Sequence, residues 1–166
     1  MTNILSIAFL PIMLMCAGIG DVLTYRIPNW LTGLIAVSFL PVALILAMPF
    51  DLFINHMATG AALLVAGFGL FALGAFGGGD AKLMAAAGLW MGWPAAMQFL
   101  VYTAFAGGIL AIAVAAFAST QIELENRGKT RLRALLDSKP DVPYGLALAV
   151  GAILALPGTW WMNFAG

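Results

Sequence analysis

Charge and cysteine are both scarce in this sequence. Only 8% of its 166 residues are charged, and seven Lys and Arg balance seven Asp and Glu, so the net charge implies nothing about nucleic acid or acidic partners. We expect no nucleic-acid partner. The one cysteine, Cys16, excludes an intrachain disulfide and a cysteine-based zinc site. Because Cys16 lies inside an apolar run, we expect it to be a small buried side chain. We predict no metal and no cofactor.

Hydrophobic residues, by contrast, make up 63% of the sequence, and the mean hydropathy is +1.03. Such a chain has too few polar residues to cover a surface in water. Apolar runs of bilayer length predict an all-α, polytopic membrane protein, in which residues 1–166 form one integral domain of the lipid bilayer. The N-terminus lacks the positive charge of a secretory signal, so the first run is expected to be retained. The predicted spans are 3–23, 30–48, 57–76, 81–93, 96–118 and 143–162.

The segment 81–93 is short for a span, because its thirteen residues rise only about 20 Å as a helix and the hydrocarbon core is about 30 Å thick. Its crossing is inferred from charge. If it crosses, Arg26, Lys82 and the basic residues of 119–142 all fall on one side. The opposite loops, which contain no Lys or Arg, are 49–56 and 94–95. The positive-inside rule then predicts six spans, a cytoplasmic loop at 119–142 and both termini on the non-cytoplasmic side.

Two aspartates, Asp21 and Asp80, lie at the ends of apolar runs, and this topology places both at the cytoplasmic face. A carboxylate costs about 2.5–3.5 kcal/mol at the centre of a helix in lipid, so one that is kept near the membrane usually has a function. Hydrolysis of a peptide bond without a metal needs an activated water and a proton donor. Two close carboxylates supply both, because like charges raise the pKa of one and leave the other ionised. The aspartates therefore predict a paired-carboxylate site.

Each aspartate also has a purely structural interpretation. Asp80 follows the glycines Gly77, Gly78 and Gly79, whose backbone an extended substrate could approach closely. The alternative is a flexible turn in which Asp80 caps the next helix. For Asp21 the alternative is an interfacial salt bridge with Arg26, five residues further on.

The motifs around these aspartates resemble a known family, the type IV prepilin peptidases, which are GxGD-type membrane aspartic peptidases. The matching segments are Asp21-Val22-Leu23-Thr24-Tyr25-Arg26-Ile27-Pro28-Asn29, Gly77-Gly78-Gly79-Asp80-Ala81-Lys82-Leu83 and Pro143-Tyr144-Gly145. They occur in the family's order and spacing, and the resemblance covers about residues 10–155. It implies that Asp21 and Asp80 are the catalytic pair. It also implies that the substrate is a pilin-like precursor, whose basic leader is cut at the cytoplasmic edge of its apolar helix.

The sequence looks most like the short peptidases of tight-adherence (Flp) pilus systems, which implies a bacterial inner membrane. Larger members also methylate the new N-terminus and carry an extra domain with paired cysteines. Because this sequence begins with a span and has one cysteine, we do not expect methylation. The sequence predicts no oligomeric state.

Several residues are expected to line the site: Gly77, Gly78, Gly79, Lys82, Arg26, Pro28, Asn29, Tyr144 and Gly145. Lys82 and Arg26 could hold a substrate carbonyl, or only anchor the chain on its positive side. Pro28 and Asn29 could equally be the start of the second helix, and Tyr144 with Gly145 the start of the last.

Other polar and aromatic residues are given structural roles. His56 is expected on the outer side, remote from the aspartates, without a catalytic or metal role. Glu123 and Glu125 are read as a solvated face of the 119–142 loop. Four tryptophans near span ends are expected to be interfacial anchors, namely Trp90, Trp93, Trp160 and Trp161.

Three functions remain open at this point. The leading one is a membrane aspartic endopeptidase that removes the leader of pilin-like precursors. A small proton- or ion-coupled transporter could use the same two carboxylates as a relay, although such relays usually lie nearer the bilayer midplane. The third is a non-enzymatic assembly partner with a degenerate site.

Overall fold

The computed structural model describes residues 2–125 and 142–165, and within these ranges it contains helices and no strand. This confirms the all-α prediction. The helices are α1 (Thr2–Thr24), α2 (Asn29–Ile45), α3 (Phe50–Ala72), α4 (Gly78–Glu125), α5 (Tyr144–Ala155) and α6 (Trp160–Ala165), with a 3-10 turn at Leu156–Gly158. Most of the predicted cytoplasmic loop, residues 126–141, lies outside the described residues.

The long helix α4 consists of two arms that fold back on each other. Gly92 interrupts it with φ 67° and ψ 169°, a left-handed backbone that favours glycine. Gly107 in the second arm (93–125) lies against the Tyr144 ring, which is 5.2 Å from the Phe76 ring just before the first arm (78–91). In a straight helix, 29 residues would separate Gly78 from Gly107 by about 43 Å. The two arms are therefore antiparallel, and the reversal lies at Gly92 rather than at the predicted loop 94–95.

Consecutive helical segments run antiparallel, and glycines let them approach closely. A Cβ at Gly60 of α3 would lie 3.1 Å from Leu89 Cβ, and one at Gly67 would lie 3.0 Å from Ala81 Cα. Such small residues allow close helix contact where no water drives association. The alternation brings the end of α1 and the starts of α4 and α5 to one end of the bundle, which we call the carboxylate end.

The outer surface of the bundle is apolar. Val65 is 75% exposed, Phe105 70% and Ile112 72%, which suits contact with lipid rather than water. The helix Phe50–Ala72 is long and apolar enough to cross a membrane by length and composition, and so is Gly78–Phe117 when it is counted through the reversal at Gly92. Cys16 also lies on this surface, so the expectation that it is buried was wrong.

The end opposite the carboxylates holds an aromatic cluster. Trp90 is 1% exposed and donates its indole N–H to the Ile35 carbonyl at 2.8 Å, and Trp161 is 6% exposed and donates to the Trp90 carbonyl at 2.6 Å. Phe39 packs against both indole rings. Trp90 and Trp161 are thus core residues rather than interfacial anchors, whereas Trp93 is exposed. Position near a span end does not reveal which way an indole points.

Several predicted boundaries differ from the structure, three of them for a clear reason. The helix α3 begins at Phe50 instead of 57, because a search for apolar runs passes over its polar first turns, which contain Asp51 and Asn55. The helix α4 continues to Glu125, beyond the predicted span end at 118. The last predicted span, 143–162, is broken by the 3-10 turn that contains Pro157.

Candidate active site

Asp21 and Asp80 line a single cavity of about 320 Å³ at the carboxylate end. Asp21 lies in the last turn of α1 and is 6% exposed; Asp80 lies in the first turn of α4 and is 8% exposed. The two carboxylates are close enough for their charges to interact. The other lining residues are Tyr25, Arg26, Ile27, Asn29, Gly77, Gly78 and Gly79.

The Asp21 carboxylate is held by the start of α5. The Gly145 N–H, in the first turn of that helix, donates to Asp21 Oδ2 at 2.8 Å. Amides of a first turn have no partner within their own helix and favour a negative charge. A Cβ at position 145 would lie 2.8 Å from this oxygen and 2.7 Å from Ile27 Cδ1, so the close approach requires glycine.

The Asp80 carboxylate is held in a similar way by the glycine run. Gly77 precedes α4, and its N–H donates to Asp80 Oδ2 at 3.1 Å, so the side chain reaches back to the residue before the helix, as in a capping box. The structural interpretation of Asp80 as a capping residue therefore holds in part. Capping uses one carboxylate oxygen, and the side chain still lines the cavity shared with Asp21.

Tyr25 and Ile27 line the cavity although the sequence analysis gave them no role. Tyr25 has a left-handed φ of 51° and ends α1, with its N–H donating to the Asp21 carbonyl at 2.7 Å. Ile27 is 8% exposed and packs between the backbones of Gly79 and Gly145, which joins the α1–α2 connection to the starts of α4 and α5. An isoleucine within an otherwise polar connection is a sequence signal that this side chain is buried. The left-handed backbone of Tyr25 has no comparable signal in sequence.

The other predicted site residues divide into two groups. Gly77, Gly78, Gly79, Arg26 and Asn29 line the cavity, and Gly145 binds Asp21. Arg26 is exposed, and the hydrogen bond to the Asp21 carboxylate comes from Gly145.

Lys82, Tyr144 and Pro28 do not line the carboxylate cavity. Lys82 Nζ donates to Asn29 Oδ1 at 2.8 Å and lines a neighbouring cavity, which Asn29 also lines. Lys82 is two residues after Asp80 in the same helix, and residues two apart do not share a helix face. This spacing already indicates that Lys82 and Asp80 do not line the same cavity. Tyr144 packs on Phe76, and Pro28 is exposed immediately before α2.

In the part of the chain that the structure describes, polar side chains elsewhere do not add to this site. Among residues 2–125 and 142–165 there is no group of three or more His, Cys, Asp or Glu that could hold a metal ion. His56 is 1% exposed near the aromatic cluster, at the end of the bundle opposite the carboxylates. The arrangement at the carboxylate end can thus supply an acid and a base to a substrate that lies against the glycine run.

Comparison with known proteins gives one match. The model of the type IV leader peptidase family matches residues 8–112, which include both aspartates and the glycine run but not Gly145. No curated protein and no solved structure matches significantly. Because the match extends over more than half of the sequence, the chain belongs to the type IV leader peptidase family.

Proposed function

We propose that this protein is an aspartic endopeptidase that removes the leader peptide of pilin-like precursors of the Flp type. Membership of the type IV leader peptidase family implies peptidase activity and supports a pilin-like precursor as the substrate. The observation that carries the aspartic mechanism is the cavity shared by Asp21 and Asp80, in which a glycine N–H fixes each carboxylate.

The chemistry follows from two carboxylates that share one proton, because their mutual repulsion disfavours two negative charges. The ionised carboxylate accepts a proton from a water molecule, whose oxygen attacks the peptide carbonyl carbon. The protonated carboxylate donates its proton to the carbonyl oxygen. Collapse of the tetrahedral intermediate breaks the C–N bond. The carboxyl group that took a proton from water gives it to the leaving amine, and a hydroxyl of the intermediate returns a proton to the other carboxylate, which restores the singly protonated pair. The aspartates titrate as a pair, so neither is assigned as the acid or the base.

The glycine run accounts for the binding of an extended substrate. Gly77, Gly78 and Gly79 expose backbone to the cavity without side chains to block it. A peptide must be extended for water to reach its carbonyl, and an extended chain can lie against exposed backbone.

Substitution of each aspartate tests this function. We expect Asp21→Asn and Asp80→Asn each to abolish detectable cleavage of a Flp-type precursor in membranes, because general acid–base catalysis contributes about 10²–10⁴-fold. Asp51→Asn is the matched control, since Asp51 is an exposed aspartate in the first turn of α3. Full cleavage by either site variant would overturn the proposal.

We further propose a bacterial inner-membrane location with six spans and the carboxylate end facing the cytoplasm, supported by the positions of Arg26 and Lys82. Single cysteines in a Cys16→Ser background test this. Leu73→Cys, beyond the C-terminal end of α3, should react with an impermeant maleimide from the cytoplasmic side. Asp51→Cys, at the other end of α3, should react from the periplasmic side. The reverse pattern would invert the topology.

The transporter alternative receives no support from the position of the carboxylates. Both lie where helices end or begin, at one end of the bundle, whereas transport relays usually lie near the midplane. Solute flux in proteoliposomes that depends on Asp21, without proteolysis, would be the result in its favour.

A further inference from the structure

A second cavity, of about 480 Å³, lies between α2, α3 and the first arm of α4. Half of its twelve lining residues are glycine or alanine: Gly33, Ala36, Gly60, Ala61, Ala85 and Ala86. We call it the α2–α3 groove. It takes no part in the chemistry described above, and its volume exceeds that of the carboxylate cavity.

The groove reaches the carboxylate end of the bundle. At the opposite end α2 and α3 meet, where the Phe39 ring lies 5.9 Å from Phe53 and 5.5 Å from His56. Both helices pack on α4, whereas few of their residues approach each other. The space between them continues from this contact to Asn29, the first residue of α2.

Asn29 connects the groove to the catalytic cavity. Its side chain lines both, and its Oδ1 accepts a hydrogen bond from Lys82 Nζ at 2.8 Å. On the first arm the groove extends from Lys82 to Leu89, about 10 Å or two helical turns. A chain that lay in the groove as a helix would reach Asn29 and could continue, extended, along the glycine run.

We propose that the α2–α3 groove binds the apolar helix of the precursor and presents the residues before it to Asp21 and Asp80. This inference rests on the proposed function, since it assigns the substrate of that site to a surface. Walls of glycine and alanine let another helix approach to backbone contact, which drives helix association in lipid.

Lys82 and Asn29 can supply hydrogen-bond partners that a precursor bound in this way needs. Where the precursor helix ends and its chain becomes extended, backbone N–H and C=O groups lose their helical partners. In lipid such groups must find other partners. Lys82 supplies a donor, and Asn29 both a donor and an acceptor, at the point where the groove meets the cavity.

Glycine substitutions test the groove without disturbing the core. A Cβ at Gly33 or at Gly69 of α3 meets nothing within 4 Å, but only Gly33 lines the groove. We expect Gly33→Phe to lower kcat/KM for the full precursor by about tenfold or more, which corresponds to about 1.4 kcal/mol, and Gly69→Phe to leave it unchanged. A short peptide that spans the cleavage site but lacks the apolar helix should be cleaved equally by both variants and by the unmodified protein.

The pattern of losses separates this proposal from the proposed function. If Gly33→Phe lowers kcat/KM equally for the precursor and the peptide, or for neither, the groove does not bind the precursor helix. The proposal that the protein is a peptidase is unaffected by that result. An unmodified protein that cleaves neither substrate would overturn the peptidase itself.

Photocrosslinking identifies the occupant independently of cleavage. In a Cys16→Ser, Asp80→Asn background, benzophenone maleimide on Ala36→Cys should capture the precursor in membranes. The same label on Val37→Cys, whose native side chain is 71% exposed and lies outside the groove, should not. Capture only of lipid, or only of a second copy of this chain, would contradict the proposal.

Discussion

Gly145 and Asp21, 124 residues apart in sequence, are joined by a 2.8 Å hydrogen bond from the Gly145 N–H to Asp21 Oδ2. The bond ties the start of α5 to the end of α1, so the geometry of the carboxylate pair depends on a helix that lies outside the part matched by the family. Gly18 supports the same contact deeper in the bundle, where its backbone packs against Ala149 of α5. The helix α5 is thus a structural part of the site.

Gly145→Ala is expected to slow precursor cleavage by about 100-fold, because a displacement of about 1 Å in a catalytic group costs that much. The added methyl would lie 2.8 Å from Asp21 Oδ2 and 2.7 Å from Ile27 Cδ1, so α5 or the carboxylate must move. The measurement is kcat for a Flp-type precursor in detergent. Gly20→Ala is the control, since a Cβ there meets nothing within 4 Å. Equal activity of both variants would show that the hydrogen bond does not position Asp21.

The sequence predicts that Asp21 and Asp80 lie at the same end of the bundle, because two helical segments separate them. The partners of these carboxylates could not be predicted. Asp80 is bonded by a residue three positions away and fits a capping pattern, but no local pattern relates Asp21 to Gly145. Helical periodicity predicts that Lys82 and Asp80 point in different directions, although the two residues are close in sequence.

Lys82 and Asn29 are expected to be energetically coupled. Their hydrogen bond, from Nζ to Oδ1 at 2.8 Å, is exposed, so a coupling energy of about 0.5–1 kcal/mol is expected from a double-mutant cycle. The cycle uses Asn29→Ala and Lys82→Met, which retains the aliphatic stem, and measures the free energy of unfolding in mixed micelles. Lys82→Met combined with Asp51→Asn should be additive. Additivity of the first pair would mean that the bond contributes nothing to stability.

Trp161→Phe should lower the free energy of unfolding by about 1–3 kcal/mol, because it removes the donor to the Trp90 carbonyl and leaves that buried acceptor unpaired. Trp93→Phe makes the same chemical change at an exposed position and should alter it by less than about 0.5 kcal/mol. Thermal unfolding in detergent, followed by circular dichroism, compares the two. Similar losses would indicate that Trp161 is an interfacial anchor after all.

His56 is expected to stabilise the reversal between the arms of α4 without contributing to catalysis. Its Nδ1–H donates to the Leu89 carbonyl at 2.7 Å, and its ring lies so close to Gly92 that a Cβ there would be 2.8 Å from Nε2. His56→Phe removes the donor and should lower the free energy of unfolding by about 1–3 kcal/mol. His56→Gln keeps a donor and should recover part of the loss. Because His56 lies at the end opposite the carboxylates, both variants should retain kcat for precursor cleavage at a temperature where they remain folded. A fall in kcat with unchanged stability would instead place His56 in the mechanism.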